Sequence, residues 1–312
     1  MRFLDFHCDT AGECFLQQKP LWKNDLHIDL SRASCFSAYA QVFAIWIPDE
    51  KRGDAAFQYY RDVLENFRSE VQKNAAHIAI CETGRDLQTV LQQQKTAAVL
   101  AVEGGAVLGG RLEKLDQLYR DGVRLMTLTW NGDNEIASGC FSETNGGLTP
   151  FGQRVVDKMR EKRMLVDVSH LNERGFYEVA ERLDAPFLAS HSNAKIVDNP
   201  YAAARNLTDD QIRTLIRLHG LIGINLCADF LGNNGDTGFD AVLRHISHFL
   251  ELGADSCLAF GCDFDGCTVH ESLNGIEHLP ELFSYLLQHG ISEPQLENIF
   301  FENGLAFLVA NL

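Results

Sequence analysis

Short apolar, β-branched or aromatic runs alternate with longer segments of helical periodicity from end to end of the chain, the sequence form of βα units wound around a parallel sheet. Eight runs stand out, at residues 3–9, 42–47, 97–103, 123–129, 164–169, 186–191, 220–226 and 256–263. Val-Leu-Ala-Val (99–102), Leu-Val-Asp-Val (165–168) and Leu-Ile-Gly-Ile (221–224) show little polar/apolar alternation, as expected of strands covered on both faces. A further run, His77 to Cys81, predicts a strand outside the main eight.

Helix starts fall between these runs. Thr149-Pro150 places a capping residue before a proline at the first helical position, and Thr208 with Gln211 and Ser292 with Gln295 have capping-box spacing. Eight strands, intervening helices and no Pro/Ser-rich linker predict an α/β fold, a single (β/α)8 TIM barrel spanning residues 1–312, with an open doubly wound sheet as the second choice.

Charge narrows the partners. Against 43 Asp and Glu stand 27 Lys and Arg, a net charge of −16 that repels phosphate backbones and anionic lipid, so neither nucleic acid nor a membrane is the expected partner. No stretch of 18 or more apolar residues occurs, and Met1-Arg2-Phe3-Leu4-Asp5 runs straight into a strand-like segment without the regions of a signal peptide. A cytoplasmic protein is expected. The nine cysteines are scattered, odd in number and free of any CxxC pair, which predicts free thiols rather than a disulfide framework or a thiolate zinc site.

The chemistry lies where the runs end. His7 and Asp9 close the first run, Glu103 the third, His170 follows the fifth, His191 closes the sixth and Asp263 the eighth. In a (β/α)8 barrel those ends converge on one mouth, where such folds place their active sites. Five strands delivering His, Asp or Glu there would bury uncompensated charge unless cations offset it, and the strand ends supply almost no basic partners. Imidazole and carboxylate without thiolate suit Zn²⁺ or a similar first-row ion, and His7, Asp9 and Glu103 with His170 and His191 suffice for two ions sharing one carboxylate. Two such ions can hold a bridging hydroxide and polarise a carbonyl, which points to hydrolysis of an amide-like bond. His245 and His248, three apart in a helical pattern with no acidic partner in register, read as helix-surface residues. Glu103-Gly104-Gly105 with Gly109-Gly110 lacks the Lys-Ser/Thr of a P-loop and reads as tight turns. Asp167 and Asp265, beside these residues, are candidates to orient them.

Asp5-Phe6-His7-Cys8-Asp9-Thr10, Val102-Glu103-Gly104-Gly105, Leu128-Thr129, Asp167-Val168-Ser169-His170, Ser190-His191-Ser192-Asn193-Ala194, Arg205-Asn206 and Gly261-Cys262-Asp263-Phe264-Asp265-Gly266 together resemble the membrane (renal) dipeptidase family, the M19 peptidases of the metal-dependent hydrolase type. The resemblance implies a barrel with two zinc ions that cleaves dipeptides, often tolerating a D-residue at the C-terminal position, by attack of a metal-bridging hydroxide. It implies that His7, Asp9 and Glu103 hold one ion and Glu103, His170 and His191 the other, with Glu103 as the bridge. Asp263 matches the carboxylate that carries the water's proton to the leaving amine, and Arg205 the arginine that grips the free carboxylate of the substrate. A homodimer is implied as well. One position departs: many members carry His after Leu-Thr on the fourth run, and this chain has Trp130-Asn131. The indole N–H or the Asn131 amide is then the available donor to a developing oxyanion, or Trp130 is an aromatic wall of the pocket. That departure leaves a second function open, a binuclear hydrolase of another amide, a lactone or an amino-acid conjugate.

Overall fold

A computed structural model of the chain describes residues 1–233 and 235–312. Among the described residues nine strands form: β1 (Arg2–Cys8), β2 (Ala38–Trp46), β3 (Ile78–Ile80), β4 (Thr96–Glu103), β5 (Val123–Thr127), β6 (Leu165–Asp167), β7 (Leu188–Ala189), β8 (Leu221–Ile224) and β9 (Leu258–Phe260). All pairings between them are parallel, and eight close a barrel in the order β1-β2-β4-β5-β6-β7-β8-β9, with β9 returning to β1. The open-sheet alternative is thereby excluded. β3 lies outside the ring, pairing Ile78 with Thr96 and Ile80 with Ala98 on the edge of β4 that β5 reaches only from Leu100 onward.

Period-two alternation along β4 divides two cores. Ala97, Val99 and Ala101 pack into a cluster to which every barrel strand contributes, including Leu4, Val42, Leu125, Leu165, Leu188, Leu221 and Ala259, so this is the barrel interior. Ala98, Leu100 and Val102 face the larger layer between barrel and helices. Glu103 continues the interior row and so points its carboxylate into the mouth. Register aligns the same level around the ring, with Trp46 opposite Glu103, Glu103 opposite Thr127, and Thr127 opposite Asp167. The C-terminal helix Asn303–Asn311 adds Phe307 and Leu308 to the interior cluster.

Strand ends differ from the sequence expectation in two instructive places. β2 starts at Ala38, ahead of the predicted residue 42, because Ala38 to Gln41 pair in register with Arg2 to Asp5 although Ala, which occupies two of these positions, has low β propensity. β7 has only two residues, because beyond Ala189 side chains take over the ladder: Ser190 N donates to Asp167 Oδ1 at 2.9 Å and His191 N to Ser169 Oγ at 3.1 Å. Thr149, Thr208 and Ser292 cap their helices as predicted. Among the described residues, no helix is long and apolar enough to cross a membrane.

Candidate metal centre

The five predicted ligand residues meet at one end of the barrel, all buried. β1 has a register break between Asp5 and Cys8, the stretch that carries His7. Asp9 begins the helix Thr10–Leu16, and Glu103 ends β4. His170 and Asp263 sit past the ends of β6 and β9 with φ of 63° and 62°, in the left-handed region that non-glycine residues seldom occupy. Strained backbone of this kind concentrates at functional sites, where the surroundings hold it in place.

Glu103 divides its carboxylate between two sets of imidazoles. Oε2 lies 3.3 Å from His7 Nε2, whereas Oε1 lies 3.0 Å from His170 Nε2 and 3.5 Å from His191 Nε2. Asp9 Oδ2 completes the first set, 3.3 Å from His7 Nε2. Ligand atoms of His7, Asp9 and Glu103 lie within 4.8 Å of one another, as do those of Glu103, His170 and His191.

Both imidazoles of the second set are oriented through Nδ1. Asn131 Oδ1 accepts from His170 Nδ1 at 3.0 Å. Ser190 Oγ stands 2.7 Å from His191 Nδ1 and donates onward to Asp167 Oδ2 at 2.6 Å, so the serine accepts the imidazole proton. Each ring therefore presents an unprotonated Nε2, and the two Nε2 atoms face each other at 2.9 Å beside the Glu103 oxygen. Lone pairs converging without a donor repel one another and call for a cation. The fit to a metal rests on this donor set and on three buried atoms without a hydrogen-bond partner, both ring nitrogens of His7 and Asp9 Oδ1.

Electrostatics agree with that fit. Burial pushes Glu103 up from 4.5 to about 7 and raises Asp9 as well. Burial, with Arg205 nearby, holds His170 and His191 well below the usual imidazole range, neutral and ready to ligate. Burial also pulls His7 down, but the Glu103 and Asp9 carboxylates outweigh it and hold that ring protonated, a proton where a cation would sit.

A cavity of about 220 Å³ opens over the centre, lined by Asp9, Glu103, His170 and Asp263 below and by Trp46, Trp130 and Phe230 around. Trp46 and Trp130 meet edge to face at 4.9 Å. Asp263 holds its Oδ2 on Asn225 Nδ2 at 2.9 Å, with Oδ1 3.9 Å from His7 Nε2. Arg205 is brought near but lies in the adjoining cavity, which shares His170 with the first. Its guanidinium donates to Ser192 Oγ at 2.8 Å and to the His191 carbonyl at 2.7 Å, and its Nε is buried without a partner.

Several expectations change in detail. Asn131 orients His170, a task not foreseen for it. Asp167 accepts from Thr127 Oγ1, Ser169 N, Ser190 N and Ser190 Oγ and so pins the loop carrying His191, while Asp265 accepts from Thr10 Oγ1 and His27 N. His245 is not a helix-surface residue. It is buried, its Nδ1 accepting from Ala194 N at 3.3 Å and its Nε2 donating to the Leu231 carbonyl at 3.1 Å, because the helix Phe239–Glu251 packs this face against the His191 loop. His248 is half-buried and does have an acidic partner, Asp209 Oδ1 at 2.8 Å, which helical register within one segment could not reveal. Asn225, Trp46 and Phe230 were missed. The first two sit at the ends of apolar runs, the same signal that marked the candidate ligands, but in residue types that do not advertise metal chemistry.

The sequence profile of a family described as membrane dipeptidase (peptidase family M19) matches residues 1–309. A relative in Klebsiella pneumoniae, an uncharacterized protein in the pqqA 5′ region, is 29% identical over 248 residues, covering 76% of this chain and 90% of its own. Among solved structures, a metallo peptidase from Rhodobacter sphaeroides, liganded with a phosphinate mimic of the dipeptide L-Ala-D-Ala, superimposes with a TM-score of 0.91 at 24% identity, covering 100% of this chain and 99% of that one. The dipeptidase AC, a metallo peptidase of family M19, gives a TM-score of 0.90 at 25% identity, with 100% and 98% covered.

Proposed function

Because the chain belongs to the membrane dipeptidase family, peptidase family M19, we propose that this peptide-bond hydrolase is a zinc-dependent dipeptidase, acting on dipeptides that include those with a D-residue at the C-terminal position. The observation that carries the reading is the divided carboxylate of Glu103, with one oxygen toward His7 and the other toward His170 and His191. His7, Asp9 and Glu103 would hold one ion, and Glu103, His170 and His191 the other. Bound there, the pair of divalent ions supplies a hydroxide nucleophile at neutral pH and polarises the scissile carbonyl.

The remaining tasks belong to side chains. Asp263, held by Asn225, takes the proton of the attacking water and returns it to the amine nitrogen as the C–N bond breaks. Trp130 and Trp46 wall the reacting carbonyl from bulk water. Arg205 offers its remaining donors to the substrate carboxylate, which selects short peptides. A cytoplasmic setting agrees with nine cysteines, all unpaired.

The test is release of amino acids from L,L and L,D dipeptides by the zinc-loaded protein, beside a chelated sample and N-blocked or C-amidated analogues. Chelator-sensitive turnover that needs the free carboxylate is expected. One observation favours a second reading: Arg205 lies in the adjoining cavity with two donors already engaged by Ser192 and His191. Turnover indifferent to amidation and to Arg205→Ala would move the substrate to another amide or a lactone.

A further inference from the structure

Two thiols lie beside the centre and belong to none of its imidazole clusters. Cys227 follows β8 and Cys267 follows β9, and both line the active cavity. The segments that carry them are tied by an antiparallel bridge between Cys227 and Val269 and by the bond from Ala228 N to the Thr268 carbonyl at 2.9 Å. Cys227 Sγ, Cys267 Sγ and an Asp263 carboxylate oxygen lie within 4.8 Å of one another. The Cys267 thiol donates to the backbone carbonyl of Asp263 at 3.3 Å, which ties its position to that residue. Among the described residues lining the cavity there is no Lys or Arg to compete for these donors.

We propose that Cys227, Cys267 and Asp263 form an inhibitory site for one soft divalent cation, beside the imidazole–carboxylate centre and meeting it only at Asp263, which also lies within 4.8 Å of His7 and His191. Two sulfurs and one carboxylate are the donor set that thiophilic d10 ions prefer over hard cations. The third donor favours an ion over a disulfide between the same cysteines, since a disulfide has no use for the carboxylate. On binding, each thiol gives up its proton to solvent and two S–metal bonds form, with no change of oxidation state. Occupancy inhibits because it takes the Asp263 carboxylate out of proton transfer and fills the cavity. That consequence rests on the role proposed above for Asp263, whereas the binding does not.

The experiment titrates zinc-loaded enzyme, freed of excess metal, with cadmium chloride while sulfur-to-cadmium ultraviolet absorption, bound cadmium, retained zinc and dipeptide hydrolysis are followed. One cadmium per chain, the absorption band, full zinc retention and a parallel fall in hydrolysis are expected. Losing even an outer-shell partner of a ligand weakens metal affinity about 10–100-fold, and losing a thiolate itself should cost at least as much, so C267S and C227A/C267S should each lose the band and need correspondingly more cadmium for inhibition, whereas C35S should behave as the parent. Retained zinc in each variant establishes that it is folded. Undiminished band and uptake in the double variant, or cadmium uptake matched by zinc release, would overturn the proposal. If no dipeptide is hydrolysed, uptake and absorption still decide the site independently of the function assigned to the centre.

Discussion

Among the described residues the Asp263 carboxylate has one hydrogen-bond partner, Asn225, and it depends on a left-handed backbone for its direction. Asp263→Asn keeps shape and removes the basic oxygen, so kcat is expected to fall by about 10²–10⁴ with zinc content unchanged, the range for loss of a positioned acid/base. Steady-state kinetics with metal analysis would check this, and an active variant would remove Asp263 from proton transfer. His245 offers a residue-scale test away from the metals. Burial depresses its pKa from 6.5 to about 4. The unfolded chain therefore takes up a proton near 6.5 that the folded one refuses until about 4, and stability is lost as pH falls through that window. At pH 5 the loss relative to pH 7 is about 2 kcal/mol from this group. His245→Gln, which still offers a donor and an acceptor, should lose correspondingly less on acidification. Urea unfolding at the two pH values measures the difference between variant and parent.

At the scale of elements, the site is built from strand ends pressed closer than side chains allow. A Cβ at Gly261 would stand 1.7 Å from the Ser190 carbonyl oxygen, and one at Gly223 would stand 1.8 Å from the same atom, so β8 and β9 close on the residue before His191 only because both positions are glycine. Gly261→Ala is expected to cost about 1–3 kcal/mol from overpacking and to loosen metal at the His170–His191 side first. Gly266→Ala strikes the other side, its Cβ 2.1 Å from Asp9 Oδ2 and 2.6 Å from Asp263 Oδ1. It should lower metal content and activity while leaving the melting temperature of the chelated protein closer to that of the chelated parent; thermal melts of the chelated forms beside metal analysis separate the two variants. The barrel was legible because each strand is a buried run with its own hydrophobic signal, and the meeting of the proposed ligands at one mouth because they stand where those runs stop. The bonds between elements were not. Nothing local to Asn131 announces His170, and nothing in the helix around His245 announces Ala194, since both contacts join segments whose spacing is set only by packing. Sequence order likewise placed Arg205 after the His191 motif without revealing that two of its donors turn back onto that loop.

Across the whole molecule, a chain of net charge −16 gathers carboxylates around one buried mouth, and divalent cations are the natural means of holding them there. Chelation should therefore lower the melting temperature by several degrees at about pH 8, and calorimetry can follow the gap as pH falls. Its direction follows from Glu103. Burial raises this carboxyl from 4.5 to about 7, so without cations the folded protein holds a proton that the unfolded chain releases, and between those values acidification stabilises the ion-free form. A metal-loaded form would need the same carboxyl deprotonated and would gain nothing from the proton. Proton and cation thus compete for Glu103, and the stabilisation by metal should shrink steadily from about pH 8 to about pH 6. Glu103→Gln, which cannot ionise, should remove both the chelation effect and its pH dependence while leaving the barrel folded. A gap that stayed constant across this range would mean that metal is held by groups other than the divided carboxylate, and the assignment of the centre would have to move with it.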